Sequence, residues 1–461
     1  MRQDVKGTVM PLHTRFTDRE VEMQFEQTIF ALSSGHLPSG VAIIRVSGPR
    51  CRFVTETISG SMPAPRQARY NALRDLSGDI IDHGLTLFFP APGSFTGEDA
   101  TEFHVHGGRA VVAAVLQCLS SVPGCRHAEA GEFSRRAFLN GKMDLLGIEA
   151  VADLISAETE AEHRFAVQNS SGVQADLYAG WRRRLIHARA MIEAEMDFSD
   201  EGDIPGSVSD IVWQDMETLA GEIERHTAGF RRAEIIREGF DVVIVGAPNA
   251  GKSSLLNALL ERDAAIVTDE PGTTRDLVET ILDIDGIKVR LTDTAGLRDG
   301  AGKVESIGID RARRRAEQAD LVLYIREVDD LSDPLPYEGE RVLRVGSKVD
   351  IPAPRPMSAE YDCLISTVTG EGLETLRSLI SARASASLGD RADVLPSRLR
   401  HVELLRQAEE AVRKALVYET KPLELKAEDL RQASDAIGRI SGAVDVEDLL
   451  DVIFSQFCVG K

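Results

Sequence analysis

This chain has few cysteines, no long apolar run and no surplus of positive charge. Its five cysteines, Cys51, Cys118, Cys125, Cys363 and Cys458, are scattered and odd in number, with no C-x-x-C pair in 461 residues. That spacing excludes a disulfide framework and makes a reducing cytoplasm the expected location. No apolar stretch approaches the roughly 20 residues that a membrane-crossing helix requires, so no membrane partner is expected. Residues 1–25 mix both charges with Pro11 and lack the apolar core of about 7–15 residues found in signal peptides. They are expected to be a polar extension, with Met23 as an alternative start. The formal net charge of −21 argues against a nucleic-acid surface spread over the whole molecule. Contact with a polyanion must then be local or made through a partner.

A chain of this length holds two or three domains. The clearest feature is Asp241 and an apolar run, Val242 to Val245, followed by Gly246, Ala247, Pro248, Asn249, Ala250, Gly251, Lys252 and Ser253, which matches G-x-x-x-x-G-K-[ST]. Ser254 and Leu255 then open a helical stretch. A strand, a glycine loop and a helix in that order form a phosphate cradle: backbone N–H groups turn inward, Lys252 neutralises phosphates and Ser253 offers a hydroxyl to Mg²⁺.

Two later elements select the nucleotide. Asp293, Thr294, Ala295 and Gly296 follow the strand expected at 287–291, so Asp293 can meet Mg²⁺ through water and the Gly296 N–H can meet a γ-phosphate. Ser347, Lys348, Val349 and Asp350 follow a strand at 341–345 and match N-K-x-D except that Ser347 stands where Asn is usual. Asp350 would accept from two guanine N–H groups, a pairing that adenine cannot return. Ser366 and Thr367 sit where a last base-contacting loop is expected. GTP is therefore the expected nucleotide.

The glutamine that orients water in Ras-like enzymes is missing, and Leu297 occupies its place. Leucine cannot position water, so another group must act or hydrolysis is slow. Asn249 can present an amide oxygen to a monovalent cation held with the carbonyls of 272–276, or it can brace its own loop. Glu305 can reach a water, in competition with Asp299 and Glu317, or it can be a helix-start carboxylate.

Around this centre the pattern changes twice. Residues 28–141 mix strand patterns at 41–46 and 84–89 with glycine and proline, giving a compact α+β domain. His104 and His106 would share one strand face there, as a metal pair or as structural hydrogen-bonders. Apolar residues then recur at helical spacing: Val173, Leu177, Trp181, Leu185, Ala188, Ile192 and Met196; Val212, Met216, Leu219 and Ile223; and, beyond residue 385, Leu399, Val402, Leu405, Val412, Leu430, Ile437, Val446, Ile453 and Phe457. Neither half covers its own stripe. The expected fold is thus multidomain: an extension at 1–25, an α+β domain at 26–142, helical halves at 143–238 and 385–461 that pack together, and an inserted α/β P-loop GTPase domain at 239–384. Arg182, Arg183 and Arg184 fit a solvated helix face better than an RNA patch.

With these residues assembled, the chain resembles the MnmE (TrmE) family of tRNA-modification GTPases from Thr28 to Lys461. The marks are Ser94, Phe95, Thr96, Gly97, Glu98 and Asp99; the stretch 131–144; the phosphate loop; Gly272, Thr273, Thr274, Arg275 and Asp276; Asp293 to Arg298; and the terminal Phe457, Cys458, Val459, Gly460 and Lys461. The resemblance implies a K⁺-stimulated GTPase that works as a homodimer and in a heterotetramer with the FAD-dependent MnmG. It implies formation of 5-carboxymethylaminomethyl or aminomethyl uridine at the tRNA wobble position, from a 5,10-methylene- or 5-formyl-tetrahydrofolate one-carbon unit. By position it gives K⁺ to Asn249, Thr268 and Thr273, Mg²⁺ to Ser253 and Thr274, and water orientation to Glu305, with Lys252 beside them as a catalytic cation. The folate falls to Arg45, Glu102, Lys142 and Lys461, whose charges suit a glutamate tail and a pterin ring. Cys458 remains open between a nucleophile and a small apolar filler. Three departures stand out: Ser347, a 31–40 loop without the family's Thr-Pro and closely spaced glycines, and a short 328–340 segment. A regulatory GTP switch or scaffold for RNA or ribosome assembly is the alternative from another class.

Overall fold

The computed structural model describes residues 26–197, 208–262, 279–293, 314–329, 339–351, 360–390, 392–417, 422–444, 450, 453–454, 457 and 460. The chain divides into two compact units, one of Met1–Ile148 with Asp445–Lys461, the other of Glu149–Val444.

In the first unit, alternating apolar residues build a six-stranded sheet from β1 (Thr28–Leu32), β2 (Ser39–Ser47), β3 (Arg69–Arg74), β4 (Ile80–Phe89), β5 (Ala100–Gly107) and β6 (Cys125–His127), in the order β3-β4-β5-β2-β1-β6. All neighbours are antiparallel except β1 with β6. The strand patterns at 41–46 and 84–89 lie within β2 and β4. Because side chains alternate across a strand, Ala42, Ile44, Val46, Phe103 and Val105 face one side. They form a core there with Val54 and Ile58 of α1 (Cys51–Ser59) and Val115 and Leu119 of α2 (Arg109–Ser120). The other side carries Ile29 and Ala31 packed on Phe133 of α3 (Glu132–Leu139), and it is the side to which Arg45 and Glu102 alternate. His104 and His106 follow Glu102 on it. Among the described residues no His, Cys, Asp or Glu group that could hold a metal forms here: His104 Nε2 lies 3.3 Å from Glu102 Oε2 and His106 Nδ1 lies 2.9 Å from Asp82 Oδ1.

The chain end closes this unit. Leu450, Ile453 and Phe454 bury themselves against Leu145 and Ile148, and Gly460 receives a 2.8 Å hydrogen bond from the Ser33 hydroxyl. Gly131, at φ +66, leaves room for this segment, since a Cβ there would stand 2.7 Å from the Phe454 carbonyl oxygen. The described residues of the chain end thus belong to the compact unit that holds the N-terminal sheet.

In the second unit, α6 (Val173–Asp197) and α7 (Val208–Ala228) precede the nucleotide-binding fold, while α11 (Leu399–Val417) and α12 (Leu423–Ser441) follow it. The four form one bundle, with α11 on α7 and α12, and α6 on α7 and α12. The apolar stripes meet as their spacing implies, but polar groups displace them at one end. Val173 and Leu399 are exposed, whereas Gln174, Tyr178 and His401 are buried. These buried polar groups satisfy one another: the Tyr178 hydroxyl meets His226 Nε2 at 2.8 Å, Gln174 donates to the Leu395 carbonyl at 2.7 Å, and His401 Nε2 lies 2.9 Å from Glu149. Burial holds His226 down to about 4, so it stays neutral in the fold. Of the three arginines, Arg183 is exposed, while Arg184 ties α6 to α7 through Asp215 at 2.7 Å and Glu222 at 2.7 Å.

Between these helix pairs in chain order, a second six-stranded sheet forms. Its strands are β7 (Phe240–Gly246), β8 (Glu279–Ile284), β9 (Ile287–Asp293), β10 (Leu321–Glu327), β11 (Val342–Ser347) and β12 (Cys363–Leu364), in the order β12-β11-β10-β7-β9-β8. Only β8 with β9 is antiparallel. The apolar run of β7 is buried on both faces, as a central parallel strand requires. Its two neighbours, β9 and β10, both come later in the chain, so the connections diverge at its carboxyl end, and a ligand crevice opens at such a switch point. The last helix of this fold, α10 (Leu373–Leu388), runs past the boundary expected at 384.

Candidate functional site

The phosphate loop leaves β7 at Gly246, where φ is +156 and a Cβ would stand 2.2 Å from the Ile325 carbonyl oxygen of β10. Only glycine lets the chain turn that close to its neighbour. The loop then passes through exposed Asn249 at φ +63 and Gly251 at φ +97, and α9 (Lys252–Leu260) begins. Leu255, Leu256 and Leu259 seat this helix in the sheet core, which aims its N-terminus and positive dipole end at the crevice. Lys252 is only 5% exposed. Its ammonium donates to the Gly246 carbonyl at 3.0 Å and the Ala247 carbonyl at 2.8 Å, which spans the loop from inside.

Next to the loop, the Ser253 hydroxyl donates to Asp293 Oδ2 at 2.7 Å. A hydroxyl and a carboxylate this close form a hard-oxygen donor set that suits Mg²⁺. Across the crevice, β11 ends at Ser347. Lys348 adopts φ +63, a strained region for a side chain of its size, and its turn is held by a 3.1 Å bond from Ile351 N to the Lys348 carbonyl. Its ammonium pairs with Glu327. Asp350 Oδ1 accepts from the Ser366 hydroxyl at 2.6 Å, and that hydroxyl oxygen accepts from Val368 N at 3.2 Å and Thr369 N at 3.1 Å. Ser366 therefore aligns Asp350 and does not itself present a proton to a base. Asn249, Gly251, Lys252, Ser253, Ser254, Ser347, Lys348, Asp350 and Thr367 all line one cleft of about 670 Å³. Ala250 is buried behind it. The hydroxyl of Ser347, which stands where Asn is usual, lies 2.7 Å from the Ala250 carbonyl oxygen.

The N-terminal residues divide. Arg45 and Glu102 are directly opposed across β2 and β5, with Arg45 Nε and Nη2 at 3.1 Å and 3.0 Å from Glu102 Oε1. The guanidinium lies 5.6 Å from the Phe95 ring centroid and 5.8 Å from that of Phe133, a cation–π arrangement that fixes its plane. Lys142 donates to the Pro92 carbonyl at 2.8 Å, at the start of the loop that carries Phe95. Thr268, Thr273, Thr274, Thr294, Ala295, Gly296, Glu305, Cys458 and Lys461 lie outside the described residues, as do Asp299 and most of the short 328–340 segment.

One buried ion-pair chain beside Arg45 leaves no local trace in the sequence. Buried Arg136, 2% exposed, reaches Glu98 at 3.1 Å and Glu132 at 3.0 Å, and Glu132 in turn receives Arg126 at 2.6 Å. This chain of paired charges joins the 94–99 loop to α3 and so fixes Phe95 and Phe133, the two rings beside Arg45. Glu98 lies in the 94–99 stretch, and Glu132 and Arg136 in the 131–144 stretch, but nothing local in either says that they pair.

Comparison with known proteins agrees with this architecture. Residues 28–142 match the family described as GTP-binding protein TrmE N-terminus, and residues 145–458 match the MnmE helical domain. The chain is 60% identical over 439 residues to the tRNA modification GTPase MnmE of Mesorhizobium japonicum, an alignment covering 94% of this chain and 99% of that protein. It is 56% identical to the proteins of the same name from Chelativorans sp. (95% and 99% covered) and Brucella ovis (95% and 99% covered). Match length and identity together leave one conclusion: the chain belongs to the MnmE (TrmE) family of tRNA modification GTPases.

Proposed function

We propose that the chain hydrolyses GTP in a K⁺-stimulated reaction that drives modification of the tRNA wobble uridine. The observation that carries this reading is that the phosphate loop, Ser253 bonded to Asp293, and Asp350 held by Ser366 line one cleft through Lys252, Ser253 and Asp350. In the reaction, the loop N–H groups and the Lys252 ammonium hold the β- and γ-phosphates. Ser253 and Thr274 would hold Mg²⁺, with Asp293 hydrogen-bonded to Ser253, and Asn249, Thr268 and Thr273 would hold K⁺. When bound, the two cations supply positive charge to phosphate oxygens as the γ-phosphoryl group departs. Glu305 orients the attacking water that Leu297 cannot. Asp350 accepts from the guanine N–H groups.

In the N-terminal unit, Arg45, Glu102, Lys142 and Lys461 hold the reduced folate that carries the one-carbon unit. Arg45, kept between two aromatic rings, meets a carboxylate, and Glu102 accepts pterin N–H groups. Cys458, three positions before Lys461 in the sequence, is a candidate nucleophile only. The chain acts in the cytoplasm as a homodimer, in a heterotetramer with an FAD-dependent MnmG partner, to form 5-carboxymethylaminomethyl or aminomethyl uridine.

Glu305→Ala tests both halves of this reading. GTP turnover is expected to fall by about 10²–10⁴-fold, the usual contribution of a positioned acid or base. Cells carrying only that variant are expected to lose the C5 group from wobble uridine by mass spectrometry. Intact turnover would remove Glu305 from the mechanism, and lost turnover with an unchanged uridine profile would end the tRNA reading.

A further inference from the structure

The end of β11 is built differently from a base-reading asparagine. A serine hydroxyl carries one proton, whereas an asparagine amide carries two. Ser347 is 4% exposed, and its hydroxyl lies 2.7 Å from the Ala250 carbonyl oxygen and 3.2 Å from the Arg326 carbonyl oxygen. The nearer contact takes the proton. The imidazole edge of guanine presents N7 and O6, which are both acceptors, so an oxygen whose proton is already donated has nothing to offer that edge. Its neighbour Lys348 is paired with Glu327, and Asp350 accepts only.

We propose that Ser347 serves this site as a brace for the phosphate loop and leaves guanine to be read from its N1–H and N2–H edge through Asp350, so that the chain is indifferent to N7. The inference rests on the guanine-nucleotide reading above and refines it. Ser347 ties the strand that carries the base reader to the residue that follows Asn249 in the loop. Its removal should therefore loosen phosphate binding equally for every purine.

Calorimetry with the full chain, Mg²⁺ and K⁺ tests this with GDP, 7-deaza-GDP and ADP. The wild-type chain is expected to bind GDP and 7-deaza-GDP within about threefold of each other. Ser347→Ala is expected to weaken both by one shared factor of about 3–10, the range for a lost neutral hydrogen bond. A wild-type penalty above threefold for 7-deaza-GDP would overturn the proposal. So would a Ser347→Ala chain that loses affinity for GDP and keeps it for 7-deaza-GDP. Failure of the underlying reading looks different: ADP would then bind as well as GDP, whatever the 7-deaza comparison gives.

Discussion

Lys252→Ala is expected to lower GTP turnover by about 10²–10³-fold, the loss found when one preorganised charge is withdrawn from a developing oxyanion. The side chain is nearly buried and spans the loop through the Gly246 and Ala247 carbonyls. Its charge is thus fixed where phosphate oxygens would lie, and little reorganisation is needed when they arrive. Truncation removes the charge and also leaves two carbonyl oxygens without their donor, which costs about 1–3 kcal/mol if water cannot replace it. Thermal unfolding in the absence of nucleotide separates these effects. A loop that collapses lowers the transition, whereas loss of phosphate contact leaves it in place while single-turnover hydrolysis falls. Turnover within tenfold of the wild-type rate would mean that the loop binds something other than a triphosphate.

Asp350→Asn is expected to exchange the preferred base. The carboxylate can accept two N–H groups from guanine, and each charge-assisted hydrogen bond contributes about 1.5–3 kcal/mol. Losing both costs on the order of 10²–10⁴-fold in affinity for GTP. An amide presents one acceptor and one donor face, which complements xanthine, where a carbonyl replaces the guanine amino group. Xanthosine triphosphate should then bind the variant better than GTP does. Ser366 matters to the outcome, because its hydroxyl now donates to Asp350 Oδ1 at 2.6 Å and would have to donate to the amide oxygen instead. Competition against a labelled nucleotide gives the result directly, and an unchanged preference for GTP would place the base reader elsewhere.

The nucleotide cleft was legible because each of its parts is a short stretch whose chemistry and local geometry coincide. Gly246, Lys252 and Ser253 must stand at the end of a strand and the start of a helix to work at all, and they do. The Arg45–Glu102 pair was not legible in that way. It depends on β2 pairing with β5 in a register that brings these two residues opposite each other, and such long-range pairing leaves no local trace. Resemblance to a family supplied the two residues, and the sheet supplies the reason they meet. The bundle was legible in outline from its apolar stripes. It was missed where Gln174, Tyr178 and His401 are buried in place of Val173 and Leu399, because hydrogen bonds among polar side chains substitute for apolar contact. The packing of the chain end was not legible for a related reason: helical spacing at Ile453 and Phe457 says that a face is apolar, not what covers it. Ser347 was identified as a departure, yet only the 2.7 Å contact with Ala250 says what its hydroxyl does.

The central claim is that guanine nucleotide bound in the cleft beside β7 is cleaved with the help of a monovalent cation held at Asn249. Initial rates of GTP and ATP hydrolysis by the full-length chain, measured in KCl and in NaCl at equal ionic strength, test it most directly. The account predicts that GTP in KCl is hydrolysed at least about tenfold faster than in the other three combinations, consistent with the removal or supply of one charge-stabilising group. Equal rates in the two salts, or ATP consumed as fast as GTP, would contradict it.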